Sequence, residues 1–211
     1  LQLDPSRHDL RNSVARLTKA PLCGDDLIKY RRDGDAAIAA FKKTEREDGA
    51  STTVLIDQML VELLPDGSRV EEVHQLRRIN DLQGVEAMKE PSEPANADEL
   101  LLLRTVVGGK SYVPSKTDDK FSMVRLEPGA FVEWRYRNYH PAPGAEPWRS
   151  PRFNFGSNSE PYLLSEYVLI LPKDAQGEMR LRGFTSATET SALADGRSVQ
   201  VFRRTDVARR A

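Results

Sequence analysis

The spacing of apolar residues changes near residue 50, from helical intervals before it to strand-like alternation after it. Leu10, Val14 and Leu17 recur at helical intervals, and a second, alanine-rich helical stretch covers residues 35–47. The first helix should end before Pro21, because the residue that precedes a proline is pushed out of the helical region of backbone space. The pattern therefore predicts two short helices at the start of the chain.

From residue 51 onward, runs of branched and aromatic residues alternate with turn sequences, as strands do. Within residues 131–140, Val132, Trp134 and Tyr136 should point to one face and the charged residues between them to the other. Consecutive strands without interleaved helices are typical of an antiparallel β-sandwich, and we predict this mainly β fold class with a short N-terminal helical segment. The roughly nine predicted strands cover residues 54–64, 69–80, 100–107, 111–113, 121–126, 131–140, 162–171, 179–184 and 198–204.

The stretch 69–80 fits two structures. Apolar residues recur at intervals of three from Val70 to Ile79, and Ser68 with Glu71 has the form of a capping box, which favours a helix. The strong turn sequence and the strand that precede it favour a β-hairpin instead. We interpret the stretch as a strand.

We divide the chain into a helical segment over residues 1–48, read as the tail of an upstream helical region, and a β-sandwich over residues 49–211. The first five residues, Leu1-Gln2-Leu3-Asp4-Pro5, contain neither a start methionine nor a signal peptide. We therefore expect an internal fragment of a longer protein, and its compartment cannot be predicted from this sequence.

Composition narrows the classes of partner. The 211 residues include 31 basic and 32 acidic side chains, for a formal net charge of −1, which argues against a dedicated nucleic-acid binder. No stretch approaches the ~18 consecutive apolar residues of a membrane span, so we expect no membrane insertion. The single cysteine excludes an internal disulfide and a cysteine-based zinc site. We expect no cofactor.

Two residues are candidates for catalysis. Cys23 is the only possible thiol nucleophile, but it lies in a loop between the two predicted helices, and we interpret it as structural. His74 stands near Glu71 and Glu72, and a carboxylate beside an imidazole can bind zinc or transfer protons. On a strand only Glu72 shares the face of His74, and we interpret this as an exposed polar strand face. We therefore predict no catalytic and no metal-ligating residue.

The candidate binding residues are Trp148, Arg149 and Arg152, in and beside the proline-rich loop 140–151. Tryptophan and arginine are enriched in binding surfaces, so a stiff loop that presents them would suit a protein or a glycan. The alternative is that Trp148 folds back and fills an open end of the sandwich.

Several short sequences together resemble one family. They are Leu64-Pro65-Asp66-Gly67-Ser68, Leu126-Glu127-Pro128-Gly129 followed by Val132-Glu133-Trp134, Pro151-Arg152-Phe153, and the strand within residues 160–172. They resemble the uncharacterised domain found N-terminal to transglutaminase-like domains in bacterial proteins, over about residues 50–205. The preceding helices resemble the end of a tetratricopeptide-type region. The resemblance implies a β-sandwich accessory domain, next to a domain with a Cys-His-Asp thiol site that lies outside these 211 residues.

We therefore expect a non-catalytic accessory domain of a larger bacterial protein, not itself an enzyme. It would position the downstream transglutaminase-like domain or its substrate through a sheet face or the 140–151 loop. An alternative is a carbohydrate-binding sandwich for cell-wall or other glycans, in which Trp148 stacks on sugar rings while Arg149 and Arg152 form hydrogen bonds. A third hypothesis is a hydrolase that uses His74 with Glu72.

Overall fold

A computed structural model describes most of the chain and three short α-helices in it. The helices are α1 (His8–Thr18), α2 (Gly34–Phe41) and α3 (Leu82–Ala87), and 3-10 turns cover Asp25–Tyr30 and Pro94–Asn96. No described helix is long and apolar enough to cross a membrane. The described residues are 8–19, 22–43, 49–117, 120–144, 148–175, 181–182 and 184–209.

Ten strands dominate the described residues, so the predicted mainly β fold class is confirmed. Eight of them form one sheet in the order β4-β3-β7-β2-β1-β8-β10-β9, and β5 pairs with β6 in a separate hairpin. The strands are β1 (Thr52–Leu63), β2 (Arg69–Ile79), β3 (Glu99–Val107), β4 (Lys110–Tyr112), β5 (Ser115–Thr117), β6 (Lys120–Ser122), β7 (Phe131–His140), β8 (Tyr162–Leu171), β9 (Glu189–Ala192) and β10 (Ser198–Val207).

Strand β1 lies at the centre of the large sheet. It pairs antiparallel with β2 through the turn at residues 64–68 and parallel with β8, whereas every other described strand pair is antiparallel. In the turn, Gly67 has a φ of 85°, a left-handed conformation that glycine adopts without strain. A parallel pair cannot be joined by a tight turn, so the local turn sequences contain no signal for the β1–β8 contact.

Two interpretations of the strand patterns are confirmed. Residues 69–79 form a strand that is paired along both edges, so sheet hydrogen bonding prevails over the three-residue apolar repeat. In β7, Val132 and Trp134 are buried together in one apolar cluster, and Tyr136 packs against it.

The prediction that His74 lies on an exposed polar face of its strand is wrong. His74 is only 1% exposed, because residues 22–41 lie over it.

Several boundaries differ from those predicted. Helix α1 ends at Thr18, before Pro21 as expected, and α2 ends at Phe41, while residues 44–47 of its predicted range lie outside the described residues. Half of the predicted strand 179–184 also lies outside them, and residues 181, 182 and 184 are not in a strand. Strand β6 is shorter than predicted, and α3, β5 and β9 were not predicted, because short and exposed elements carry little periodic signal.

Residues 22–41, here called the covering segment, lie across one face of the large sheet. Leu27 is fully buried in a cluster with Leu60 and other sheet residues, and Ile38 and Phe41 pack with Leu55 and residues from three further strands. The opposite face is covered by α3 and by residues 148–155. The two faces therefore have separate apolar cores. The division of the chain at residue 48 stays a prediction.

One carboxylate on β1 is buried without a cation in direct contact among the described residues. Asp57 is 7% exposed and accepts hydrogen bonds from Ser165 Oγ at 3.0 Å and Gln75 Nε2 at 3.2 Å. Burial raises the pKa of Asp57 to about 6, and the hydrogen bonds and the more distant Arg77 only partly oppose this. In the unfolded chain Asp57 ionises near its ordinary pKa of 3.8, so at neutral pH its charge destabilises the fold.

We predict that Asp57→Asn raises the free energy of unfolding by about 1–2 kcal/mol at pH 7.5, since a shift of one pKa unit corresponds to about 1.4 kcal/mol. The gain should shrink as the pH falls below 6 and vanish below about pH 3, where the aspartate is protonated in both states. Urea unfolding between about pH 3 and 7.5 measures it, with the exposed Asp174→Asn as the control. A stability difference that is independent of pH would contradict the assignment.

Candidate functional site

Four glutamates lie on the sheet face beneath the covering segment, and each is at most 5% exposed. Burying an ionised carboxylate is very unfavourable unless cations and hydrogen-bond donors replace the lost water. Each of the four has such partners, described below. We call this set the glutamate row: Glu62 on β1, Glu72 on β2, Glu133 on β7 and Glu166 on β8.

Glu72 connects the centre of the sheet to the covering segment. Arg31 donates from Nε to its Oε1 at 2.6 Å, and Arg137 donates from Nε to its Oε2 at 2.8 Å. The Nη2 of Arg137 also donates to the carbonyl oxygen of Gly24 at 2.9 Å. One carboxylate thus holds an arginine from each layer, and the arginine from the sheet reaches back to the segment.

Glu166 makes the second connection. Arg32 donates to it from the covering segment at 2.9 Å, and Arg203 donates from β10 at 2.6 Å. Gln58 donates both to Glu166 at 2.6 Å and to the carbonyl oxygen of Tyr30 at 2.8 Å. Burial alone would raise the pKa of Glu166, but the two arginines lower it overall, so the group is ionised at neutral pH.

Glu133 and His74 form the third connection. His74 Nε2 lies 2.9 Å from Glu133 Oε1, and Arg104 donates to Glu133 Oε2 at 2.7 Å while also binding Asp35 of α2 at 2.9 Å. Arg135 Nη2 lies 3.2 Å from His74 Nδ1, so Nδ1 accepts and the proton is assigned to Nε2. Burial lowers the pKa of His74 against the opposing effect of Glu133, so the imidazole is neutral at pH 7.

Glu62 binds the start of the covering segment. The backbone N–H of Gly24 donates to Glu62 Oε2 at 3.0 Å, and Arg197, from the turn before β10, pairs with the other carboxylate oxygen. Gly24 has a φ of 84°, and a Cβ there would lie 3.1 Å from Val70 Cγ1 and 3.2 Å from Arg137 Cζ. Glycine at position 24 therefore allows the backbone both its left-handed conformation and its close approach.

Of the two catalytic candidates from the sequence, His74 takes part in these contacts and the Cys23 thiol does not. His74 bonds to Glu133 rather than to Glu72, and at 1% exposure its ring is closed to a substrate. Cys23 is half-buried, and burial raises the pKa of its thiol, which makes it a poor nucleophile at neutral pH. The described residues contain no group of three or more histidine, cysteine, aspartate or glutamate side chains placed to hold a metal ion. The arrangement is suited to holding the segment on the sheet.

The predicted binding residues lie on the other face. Trp148 packs against a cluster that includes Val61 and Phe202, and its buried Nε1 has no hydrogen-bond partner among the described residues. Arg149 and Arg152 are exposed, and residues 145–147 of the loop lie outside the described residues. The structure thus places the indole against the sheet and the two guanidinium groups toward solvent.

Sequence reasoning missed the glutamate row. The available signal was the presence of glutamate inside strands that also read as buried, as at Glu62 in the apolar run of β1 and Glu166 in that of β8. Charged residues are seldom fully buried unless they are paired, so such positions predict cationic partners from another element. The partners Arg31 and Arg32 come from the covering segment, whose position over the sheet is not encoded in any local pattern.

Comparison with known proteins gives a likeness of fold. No protein-family model matches the chain, and no curated protein matches it. A solved structure from Parabacteroides distasonis, described as a "putative protease", matches with a TM-score of 0.55 and 12% sequence identity. The match covers 76% of this chain and 36% of that one, so this chain spans about a third of the length of the Parabacteroides protein. At this identity the likeness concerns the fold alone.

The contact between α2 and Glu133 gives a direct test of the glutamate row. A Cβ added at Gly34, the first residue of α2, would lie 2.6 Å from Glu133 Cδ, closer still to Oε1 and 2.8 Å from Oε2. The carboxyl group cannot turn aside without leaving His74 or Arg104. We predict that Gly34→Ala lowers the free energy of unfolding by about 1–3 kcal/mol, the range for overpacked sites.

Helix propensity alone predicts the opposite change in stability for Gly34→Ala, since alanine is favoured over glycine inside helices by about 1 kcal/mol. The matched control is Ala39→Gly in the same helix at an exposed position, which should lose only about 0.5–1 kcal/mol. Urea unfolding of both variants measures the effect. A Gly34→Ala chain as stable as the unmodified protein would show that Glu133 is not held.

Proposed function

We propose that this chain is a non-catalytic accessory domain of a larger bacterial protein and that it positions a downstream transglutaminase-like thiol domain, or the substrate of that domain. The supporting observation is that His74 and the glutamate row form ion pairs and hydrogen bonds within the sheet and between the sheet and the covering segment. Because these side chains are bound to one another, they stabilise the fold and are not available for catalysis. The domain would therefore act through its surface.

The structural likeness supports a role within a longer protein. In the Parabacteroides protein described as a "putative protease", the fold of this chain corresponds to 36% of the length, and the remainder lies outside the match. A domain of this fold therefore occurs beside other parts of a longer chain. The thiol chemistry proposed here for the neighbouring domain rests on the family resemblance of the sequence.

The surface that we propose for positioning is the one around Arg149 and Arg152. Both side chains are exposed, whereas the arginines beneath the covering segment are bound to carboxylates. Trp148 packs against the sheet just before Arg149, which anchors the chain at that point. Arginine, tryptophan and tyrosine are enriched among the residues that contribute most to binding in protein interfaces.

We expect the 211-residue chain to fold and to show no hydrolysis of peptides and no incorporation of amines into peptides. The measurement is fluorescence of quenched peptide substrates and of a dansylated amine, over the neutral pH range. Cys23→Ser is the control variant, because it removes the only thiol of the chain. Turnover that is lost in Cys23→Ser would contradict the non-catalytic proposal.

The positioning role is tested in the parent protein, whose reading frame beyond the codon for Ala211 should encode a domain with spaced cysteine, histidine and aspartate. In that protein, Arg149→Glu with Arg152→Glu should raise KM for a protein substrate several-fold and leave kcat for a small amine unchanged. Arg16→Glu with Lys110→Glu, both at exposed positions outside that surface, is the charge-matched control. Unchanged kinetics for both substrates would remove this surface from the proposal.

A further inference from the structure

A cavity of about 260 Å³ lies on the face opposite the covering segment, between residues 153–158 and the end of β10. Three aromatic rings line it, those of Phe153, Phe155 and Phe184. The centroids of Phe155 and Phe184 are 4.7 Å apart and those of Phe153 and Phe155 are 4.8 Å apart, so the rings support one another. The cavity therefore has aromatic rings on one side, while most of its exposed lining is polar.

The backbone of the loop at residues 153–158 comes close to β10 at Gly156. Gly156 has a φ of 107°, and a Cβ there would lie 2.8 Å from Val207 Cγ1. Any other residue would thus push the loop away from the strand. Glycine at this position closes the cavity against the end of β10.

The polar wall carries two arginines and no carboxylate. Arg182 and Arg204 both line the cavity, together with the neutral side chains of Asn154, Ser157 and Asn158. Neither guanidinium forms an ion pair or hydrogen bond with a described residue, whereas Arg203, the neighbour of Arg204 on the opposite face, binds Glu166 at 2.6 Å. The cavity therefore holds two positive charges that the described residues do not neutralise.

We propose that this cavity binds a small carboxylate with an aromatic or apolar body. The planar guanidinium group donates two parallel hydrogen bonds to a carboxylate, and the phenylalanines would contact the apolar body. The volume lies just below the range of about 300–1,000 Å³ that holds drug-sized ligands, so it suits a single ring with its acid. The same chemistry occurs in a free aromatic acid and in the last residue of a peptide. The inference is independent of the accessory role.

The test is isothermal titration of the 211-residue chain with N-acetyl-L-phenylalanine and, separately, with N-acetyl-L-phenylalaninamide, which lacks the charge. The acid should bind at least about tenfold more tightly than the amide, a difference of about 1.4 kcal/mol. Arg204→Gln and Arg182→Gln should each remove most of this preference. Arg16→Gln, an exposed arginine outside the cavity, is the matched control and should leave binding unchanged.

Two further arms identify the source of the acid and the kind of anion. The first arm uses a pentapeptide that ends in phenylalanine with a free carboxylate, and compares it with the same peptide as a C-terminal amide. This comparison distinguishes the end of a peptide chain from a free small acid as the ligand. Binding of either acid supports the proposal. Equal binding of acid and amide, no binding of any acid, or tighter binding of phenyl phosphate would overturn it. Arg182 lies outside the strands, so its variant keeps the test decisive if Arg204→Gln fails to fold.

Discussion

The pairing of buried glutamates with arginines is the constraint on which the rest of the structure depends. Leaving one ion of such a pair without its partner costs about 3–5 kcal/mol, which is a large fraction of the stability of a domain. Arg31 and Arg32 supply two of the partners, so without the covering segment Glu72 and Glu166 would each lose one of their cations. The segment therefore neutralises buried charges of the sheet and also covers its apolar core.

As a result, the two faces of the sheet differ in how they are covered. The face under the covering segment is closed, and Gly24 and Gly34 let the backbone come close enough to reach the carboxylates. The other face is covered by α3 and by residues 148–155, which pack on it through apolar side chains that include the aromatic rings of Trp148 and Phe155. Surfaces made by loops on a rigid sheet are where proteins commonly place recognition, so we assign both proposed contact regions to this face.

Sequence patterns predicted the strands whose signals are local. Alternation in β7 and the turn before β2 were sufficient to place both strands and the inward direction of Trp134. The parallel β1–β8 contact and the burial of His74 were beyond such patterns, because each depends on elements that are distant in the chain. Of the candidate site, the sequence left two alternatives open for Trp148, and the structure packs it against the sheet. The glutamate row was not foreseen, since an isolated glutamate in a strand reads as solvent-facing.

Arg203 and Arg204 show why charge alone does not indicate function. They are adjacent on β10 and therefore point to opposite faces of the sheet. Arg203 neutralises Glu166, whereas Arg204 faces a cavity without a carboxylate in its lining. The near-zero net charge of the chain conceals this difference, because the paired charges cancel inside the fold and the unpaired ones do not. A cation on this sheet is therefore a candidate for binding only when no carboxylate among the described residues reaches it.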